Sequence, residues 1–255
     1  MSIKIAIDAG HGKYTAGKRC LKSLDPKETR EWVLNSRIAT KLQDLLKGYE
    51  CETIRVDDTT GETDVSLGNR CKAANNWGAD FYLSVHHNAG VNGGKGGGVV
   101  IYTHPNTKQT THTIRDVIYS EVIKENGLKG NRYDGTLTAN FQVLRDTKMP
   151  AVLIECGFMD SSVDTPQILT EEFATKTAKG LCNGLVKSLN LKAKEVAKET
   201  NVPTKKEETK ENTVSDWAKE EMAEAIKRGI TDGTRPQDPA TREEVAVMIV
   251  RALKG

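Results

Sequence analysis

Long apolar runs are missing from this 255-residue chain, and so is any excess of one charge. No stretch approaches the roughly 20 apolar residues that a membrane-crossing helix needs, which excludes a bilayer span. Lys and Arg number 37 against 35 Asp and Glu, a formal net charge of +2, so the composition carries no dedicated nucleic-acid surface. The five cysteines (Cys20, Cys51, Cys71, Cys156 and Cys182) are odd in number and lack paired metal spacing. They are expected to be free thiols in a reducing compartment. There is no His-Glu-x-x-His helix, and Tyr14 stands where a His-x-x-Glu pair would need its acid. Gly93–Gly98 lacks the Lys-Ser/Thr helix start of a phosphate loop and reads as a flexible loop. The opening residues show no secretory n-region, h-region or cleavage site, so the expectation is synthesis in the cytoplasm without a signal peptide.

What is present is alternation. Short runs rich in Val, Ile and Leu, bounded by Gly, Asp or Pro, predict strands over Ile3–Asp8, Glu52–Val56, Phe81–His86, Gly98–Thr103, Phe141–Leu144 and Ala151–Glu155. Between them, Thr29–Leu46, Thr107–Asn126 and Glu171–Leu189 carry apolar stripes of helical period. The pattern predicts an α/β fold: a mostly parallel, twisted sheet of about six strands with helices on both faces. Residues 192–213 change character, with Lys and Glu alternating around Pro203, and read as a charged linker. Residues 214–255 are apolar-periodic again. Gly229 ends one helical stripe and Thr241-Arg242-Glu243-Glu244 forms a capping box for a second, which predicts a small all-α unit. Two helices bury too little surface to stand alone comfortably, so self-association or docking is expected of that unit.

In a parallel α/β sheet, ligands gather beyond the carboxyl ends of the strands. Three predicted strands end there in polar groups: Asp8-Ala9-Gly10-His11-Gly12, Ser84-Val85-His86-His87-Asn88 and Ile154-Glu155-Cys156-Gly157. Glu31 stands at the front of the first long helix. Strand alternation puts Ser84, His86 and Asn88 on one side and turns His87 away. It also turns Cys156 away from Glu155, into the apolar layer. His11, Glu31 and His86 are a donor set suited to Zn²⁺ with one position open, and Glu155 is a carboxylate able to move protons beside it. Other readings stand next to these. The helix macrodipole alone favours Glu28 and Glu31, and Glu155 could pair with Arg145 or Lys148.

Those segments resemble the zinc-dependent N-acetylmuramoyl-L-alanine amidases of the type 3 family over about residues 2–190. The likeness runs through Asp8-Ala9-Gly10-His11-Gly12, where the family usually has Pro at position 9, then Glu31 with Asn35, Ile38 and Ala39. It continues in Leu67-Gly68-Asn69-Arg70 with Ala74-Asn75, in Ser84-Val85-His86-His87-Asn88-Ala89 and in Val143-Leu144-Arg145. It closes on Pro150–Phe158 with Asp164. The glutamate's spacing to Asn35 and to Ile38-Ala39 selects Glu31 over Glu28. The resemblance implies Zn²⁺ as cofactor on His11, Glu31 and His86, Glu155 as catalytic carboxylate, and Asn88 and Arg145 as substrate-binding residues. It implies peptidoglycan as partner and hydrolysis of the amide joining the lactyl group of muramic acid to L-alanine. Glu155 would take a proton from the attacking water and return it to the leaving nitrogen.

Trp217-Ala218, Gly229-Ile230-Thr231-Asp232-Gly233 and Thr241–Glu244 resemble a single S-layer homology repeat. That likeness implies binding of a secondary cell-wall polymer, or self-association, by residues 214–255. Such tails also occur on phage lysins, which implies action on the wall after membrane permeabilisation or lysis of a host or mother cell. Two alternatives remain at this level: a zinc peptidase cutting within the stem peptide, and a non-catalytic wall-binding protein.

Overall fold

The chain divides into two units, residues 1–195 and 196–255. The structure, a computed structural model, describes residues 2–131, 134–194, 219–231, 248–250 and 252–253. Among these residues no helix is long and apolar enough to cross a membrane.

The first unit is built on six strands: β1 (Ile3–Ala9), β2 (Cys51–Arg55), β3 (Phe81–Asn88), β4 (Val100–Thr103), β5 (Thr136–Thr138) and β6 (Ala151–Phe158). They lie in the order β2-β1-β3-β6-β4-β5. The first four in that order are mutually parallel, and β4 pairs antiparallel with β6. The sheet is therefore mostly parallel, as the alternation predicts, with one edge reversed. Helices α1 (Glu31–Leu46), α3 (Gln109–Asn126) and α6 (Glu171–Leu189) bury one apolar layer against the sheet, where Ile5, Ile7, Leu83, Val85 and Ile154 meet Leu34, Ile38, Leu42, Ile118 and Leu181. The opposite face is covered by α2 (Leu67–Trp77) and the short α4 (Gln142–Arg145), with Ala6, Tyr82 and Leu153 packed on Cys71, Ala74, Val143 and Leu144. Between α4 and α6 lies the one-turn α5 (Thr165–Ile168). Central strands covered on both faces need apolar residues at nearly every position, which is why β3 and β6 stand out in the sequence.

One expectation is corrected. Phe141–Leu144 is not a strand: Val143 and Leu144, adjacent in sequence, are both buried in the same layer, which a helical turn allows and a strand does not. The fifth strand is instead Thr136–Thr138, whose single apolar residue, Leu137, gives no readable period. The helix α2 has no apolar stripe because its buried face consists of Arg70, Cys71 and Ala74. Ser66 caps its start by accepting from the Asn69 amide, and Gly78 ends it in the left-handed region.

This order places the site. From β1 the chain crosses through α1 to β2 on one side, and from β2 it crosses through α2 to β3 on the other. The connections leaving β1 and β3 thus diverge, and a crevice opens beyond their carboxyl ends.

In the second unit, α7 (Lys219–Lys227) is closed by Gly229 at φ 67°, with the Ile230 amide donating to the Ala225 carbonyl. Most of the linker (195–213), Trp217-Ala218, Asp232-Gly233 and the capping box Thr241–Glu244 lie outside the described residues.

Candidate metal centre and active site

Four strand or helix ends converge at the crevice. His11 follows β1, Glu31 opens α1, His86 lies near the end of β3 and Glu155 sits across from His86 in the β3–β6 register. His11 Nε2 is 3.4 Å from Glu31 Oε2, and His86 Nδ1 is 3.1 Å from Glu31 Oε1. The imidazoles meet edge to face, with centroids 4.9 Å apart. One donor atom from each of His11, Glu31 and His86 falls within 4.8 Å of the others. Glu31 Oε2 is buried and has no hydrogen-bond partner among the described residues. The Lys18 ammonium stands 3.7 Å away, beyond hydrogen-bond length, so an ionised oxygen in that position is still costly unless a cation meets it more closely. Two imidazoles and a carboxylate with an orphaned oxygen fit a Zn²⁺ ion.

Electrostatics prepares the donors. Burial works to raise the Glu31 pKa, but the hydrogen bond and charge of His86, then His11 and Lys18, outweigh it and bring it to about 2. Burial pushes His11 down to about 4, so its ring is neutral at neutral pH. For Glu155 burial dominates and pushes the carboxyl up to about 7, with His86 pulling the other way. Glu155 Oε2 is also buried without a partner among the described residues, and neither Arg145 nor Lys148 pairs with it.

His87 points to the opposite face, as alternation requires. Its backbone N–H donates to Glu31 Oε1 at 3.2 Å, and its Nδ1 lies 2.8 Å from Asn35 Oδ1. Asn35, one turn after Glu31, donates to Glu31 Oε1 and to the Gly10 carbonyl. It therefore orients the glutamate and the turn before His11 together. Cys156 is buried in the α1/α3/α6 layer, away from Glu155. Glu28 pairs with Arg19 and stands outside the cluster. Asn88 follows a register shift between His86 and Asn88 on β3, opposite a stretch of β6 where Gly157 takes φ 122°. Its side chain accepts from the Ala89 amide, and it lines a cavity with Glu155. Arg145, on α4, pairs with Asp146 and donates to Asn140, and it lines neither cavity beside the cluster. The glycine loop is tethered: Asp160 Oδ2 accepts from the amides of Gly90, Val91 and Asn92, and Asp164 Oδ2 from those of Gly98 and Phe158.

Beneath the histidines lies a buried network that residue-by-residue reading did not assign. Arg70 pairs with Asp8, whose other oxygen accepts from Ser84 at 2.6 Å. Arg70 also donates to the carbonyls of Val65, Ala9 and His11 and to Asp64. One guanidinium thereby holds both sides of the Gly10-His11 turn, in which His11 adopts φ 66°. Burial works to raise the Asp8 pKa, but Arg70, helped by His86 and Ser84, holds it below the usual aspartate range. A depressed carboxylate contributes stability above its unfolded pKa and loses it as pH falls through the folded one. Arg70→Ala strands Asp8 in the interior and is expected to cost about 3–5 kcal/mol at neutral pH. Urea titrations of both proteins test this: the difference should shrink as pH falls, first as the stranded Asp8 of the variant takes up a proton above the ordinary aspartate range, then as that of the parent does so below it.

Gly10 has a different duty. A Cβ there would lie 2.0 Å from His86 Cε1, so the His86 ring packs directly on the Gly10 backbone. Gly10→Ala is expected to push the imbalance onto His86 and cut metal content while circular dichroism stays native; full metal occupancy in that variant would contradict the packing.

The sequence profile of N-acetylmuramoyl-L-alanine amidases matches residues 5–187. The chain belongs to this family. Membership makes it a peptidoglycan amidase. It is 37% identical over 189 residues to the N-acetylmuramoyl-L-alanine amidase CwlM of Bacillus licheniformis, covering 74% of this chain and 70% of that one. It is 39% identical over 195 residues to a sporulation-specific N-acetylmuramoyl-L-alanine amidase of Bacillus subtilis, covering 74% and 69%. An endolysin of Bacillus phage SPP1 is 31% identical over 196 residues, covering 76% and 69%. Among solved structures, an N-acetylmuramoyl-L-alanine amidase from Clostridium difficile 630 superposes with a TM-score of 0.66 at 29% identity, over 74% of this chain and 97% of that one.

Proposed function

We propose that the chain hydrolyses the amide between the muramic acid lactyl group and L-alanine, with Zn²⁺ held by His11, Glu31 and His86 and with Glu155 as the proton carrier. The observation that supports this most is the cluster of His11, Glu31 and His86 donors, the one such group among the described residues, with a Glu31 oxygen that accepts no hydrogen bond among them and Glu155 one strand away. When bound, Zn²⁺ would supply Lewis acidity toward the scissile carbonyl and the attacking water. The remaining work belongs to side chains. Glu155 accepts the proton of the attacking water and delivers it to the alanine nitrogen as the bond breaks. Glu31 stays ionised and His11 neutral, so both present lone pairs. His87 and Asn35 hold Glu31, and Arg70 holds the turn of His11. Asn88 lines the site beside Glu155 and is assigned to substrate binding. Arg145 is assigned there as well, on the family likeness alone.

Digestion of purified peptidoglycan tests the bond assignment. New alanine amino termini are expected; a different new amino terminus would mark a stem-peptide peptidase instead. Residues 214–255 are proposed to retain the enzyme on the wall, through a secondary polymer or through self-association, in the manner of a lysin. Sedimentation of full-length and 1–195 proteins with cell walls tests this, and equal retention would remove that role.

A further inference from the structure

The donor cluster is flanked by two cavities of similar size and different lining. On the side of β1 and α2 lies one of about 260 Å³, lined by Asp8, His11, Asp64, Ser66, Arg70 and His86. Its cation, Arg70, is committed to Asp8, Asp64 and three backbone carbonyls. On the side of β6 lies one of about 280 Å³, lined by Gly17, Lys18, His87, Asn88, Glu155 and Met159 among others. Lys18 is the one Lys or Arg among the described residues lining it. Its side chain is 44% exposed, and its ammonium comes no closer than 3.7 Å to its ion-pair partner, Glu31 Oε2. That exceeds hydrogen-bond length, so among the described residues the Lys18 ammonium is ion-paired without a hydrogen bond, and its N–H groups can turn to a ligand.

The scissile amide of the proposed reaction divides its substrate unequally. One limb is sugar, with hydroxyls and acetamides; the other is a peptide whose glutamate, next after alanine, carries a carboxylate. The leaving nitrogen belongs to the peptide limb, and the residue assigned to protonate it, Glu155, lines the Lys18 cavity and not the other. We propose that the β6-side cavity takes the stem peptide, with Lys18 binding the free α-carboxylate of its second residue, and that the β1–α2 cavity takes the glycan. An extended residue advances the chain about 3.3–3.6 Å. A carboxylate one residue beyond the alanine therefore falls near an ammonium held beside the cluster. The assignment rests on the amidase reading and adds to it a direction of binding and a preference: free glutamate over its α-amide. Charge-assisted hydrogen bonds at a half-exposed site correspond to a preference of about tenfold.

The test compares two disaccharide substrates on the zinc-loaded full chain, N-acetylglucosaminyl-N-acetylmuramoyl-L-alanyl-D-glutamate and its α-amidated counterpart. The unsubstituted enzyme is expected to show a KM about tenfold lower for the free acid. Lys18→Met should raise KM for the acid about tenfold with little change in KM for the amide, and Lys18→Arg should restore the preference. Calorimetric binding of L-alanyl-D-glutamate gives a readout without turnover and should weaken about tenfold in Lys18→Met. Equal KM values for the two substrates in the unsubstituted enzyme would overturn the assignment of Lys18. So would an equal fall in kcat for both substrates in Lys18→Met, which would place the lysine at the reacting carbonyl. Release of any amine other than that of alanine would instead bring down the amidase reading itself, and this assignment with it.

Discussion

Glu155→Gln is expected to lower the rate of peptidoglycan hydrolysis by about 10²–10⁴-fold while the protein folds and takes up metal as before. The side chain is nearly isosteric, and Glu155 makes no ion pair among the described residues, so no structural partner is lost. What disappears is a carboxylate that burial has pushed up to about 7, a value at which it can both accept and release a proton near neutrality. Thermal unfolding and metal content should match the parent, and the deficit should lie in kcat with little change in KM. A variant that clears cell walls at the parental rate would remove Glu155 from the chemistry.

Glu31→Gln is expected to abolish stable metal uptake and, with it, activity. Glu31 is the only charged donor of the cluster and lies between the two imidazoles, at 3.4 Å from His11 and 3.1 Å from His86. An amide oxygen is a weaker ligand and carries no charge to offset a divalent cation. The same change removes a buried anion met by His86, His11, Lys18, Asn35 and the His87 amide, so the metal-free protein should also lose stability near neutral pH. Elemental analysis after dialysis should show about one zinc per parent chain and background levels in the variant. Chelation of the parent should reproduce the loss, and Zn²⁺ should restore activity to the parent alone. Full zinc occupancy in Glu31→Gln would mean that a different set of donors holds the ion.

Both expectations concern residues legible from the chain, and the reason is local. A strand buried on both faces announces itself as an apolar run, and the polar residue that ends it marks the functional edge of a parallel sheet. His11, His86 and Glu155 follow from that rule, and period-two alternation separates His86 from His87 and Glu155 from Cys156. Glu31 was less legible. Glu28 shares its helix-start chemistry, and only the family spacing distinguished them before the fold showed Glu28 paired with Arg19.

The remaining features depend on partners far away in sequence. Arg70 meets Asp8 across 62 residues, and Asn35 meets His87 across 52. No local pattern records such pairs. Helix α2 shows no period because its buried face is a charged side chain, a thiol and a methyl group, and α4 reads as a strand because four apolar-rich residues hold no period. Lys18 sits in a polar loop with nothing around it to single it out. By itself, then, the sequence determined the α/β class, the strand ends and the chemical kinds of group delivered there, since each is written in neighbouring residues. Only tertiary structure decided what braces the His11 turn, what orients Glu31 between the histidines and on which side of the cluster Lys18 lies. Those are distances between segments, and they exist only once the chain has packed.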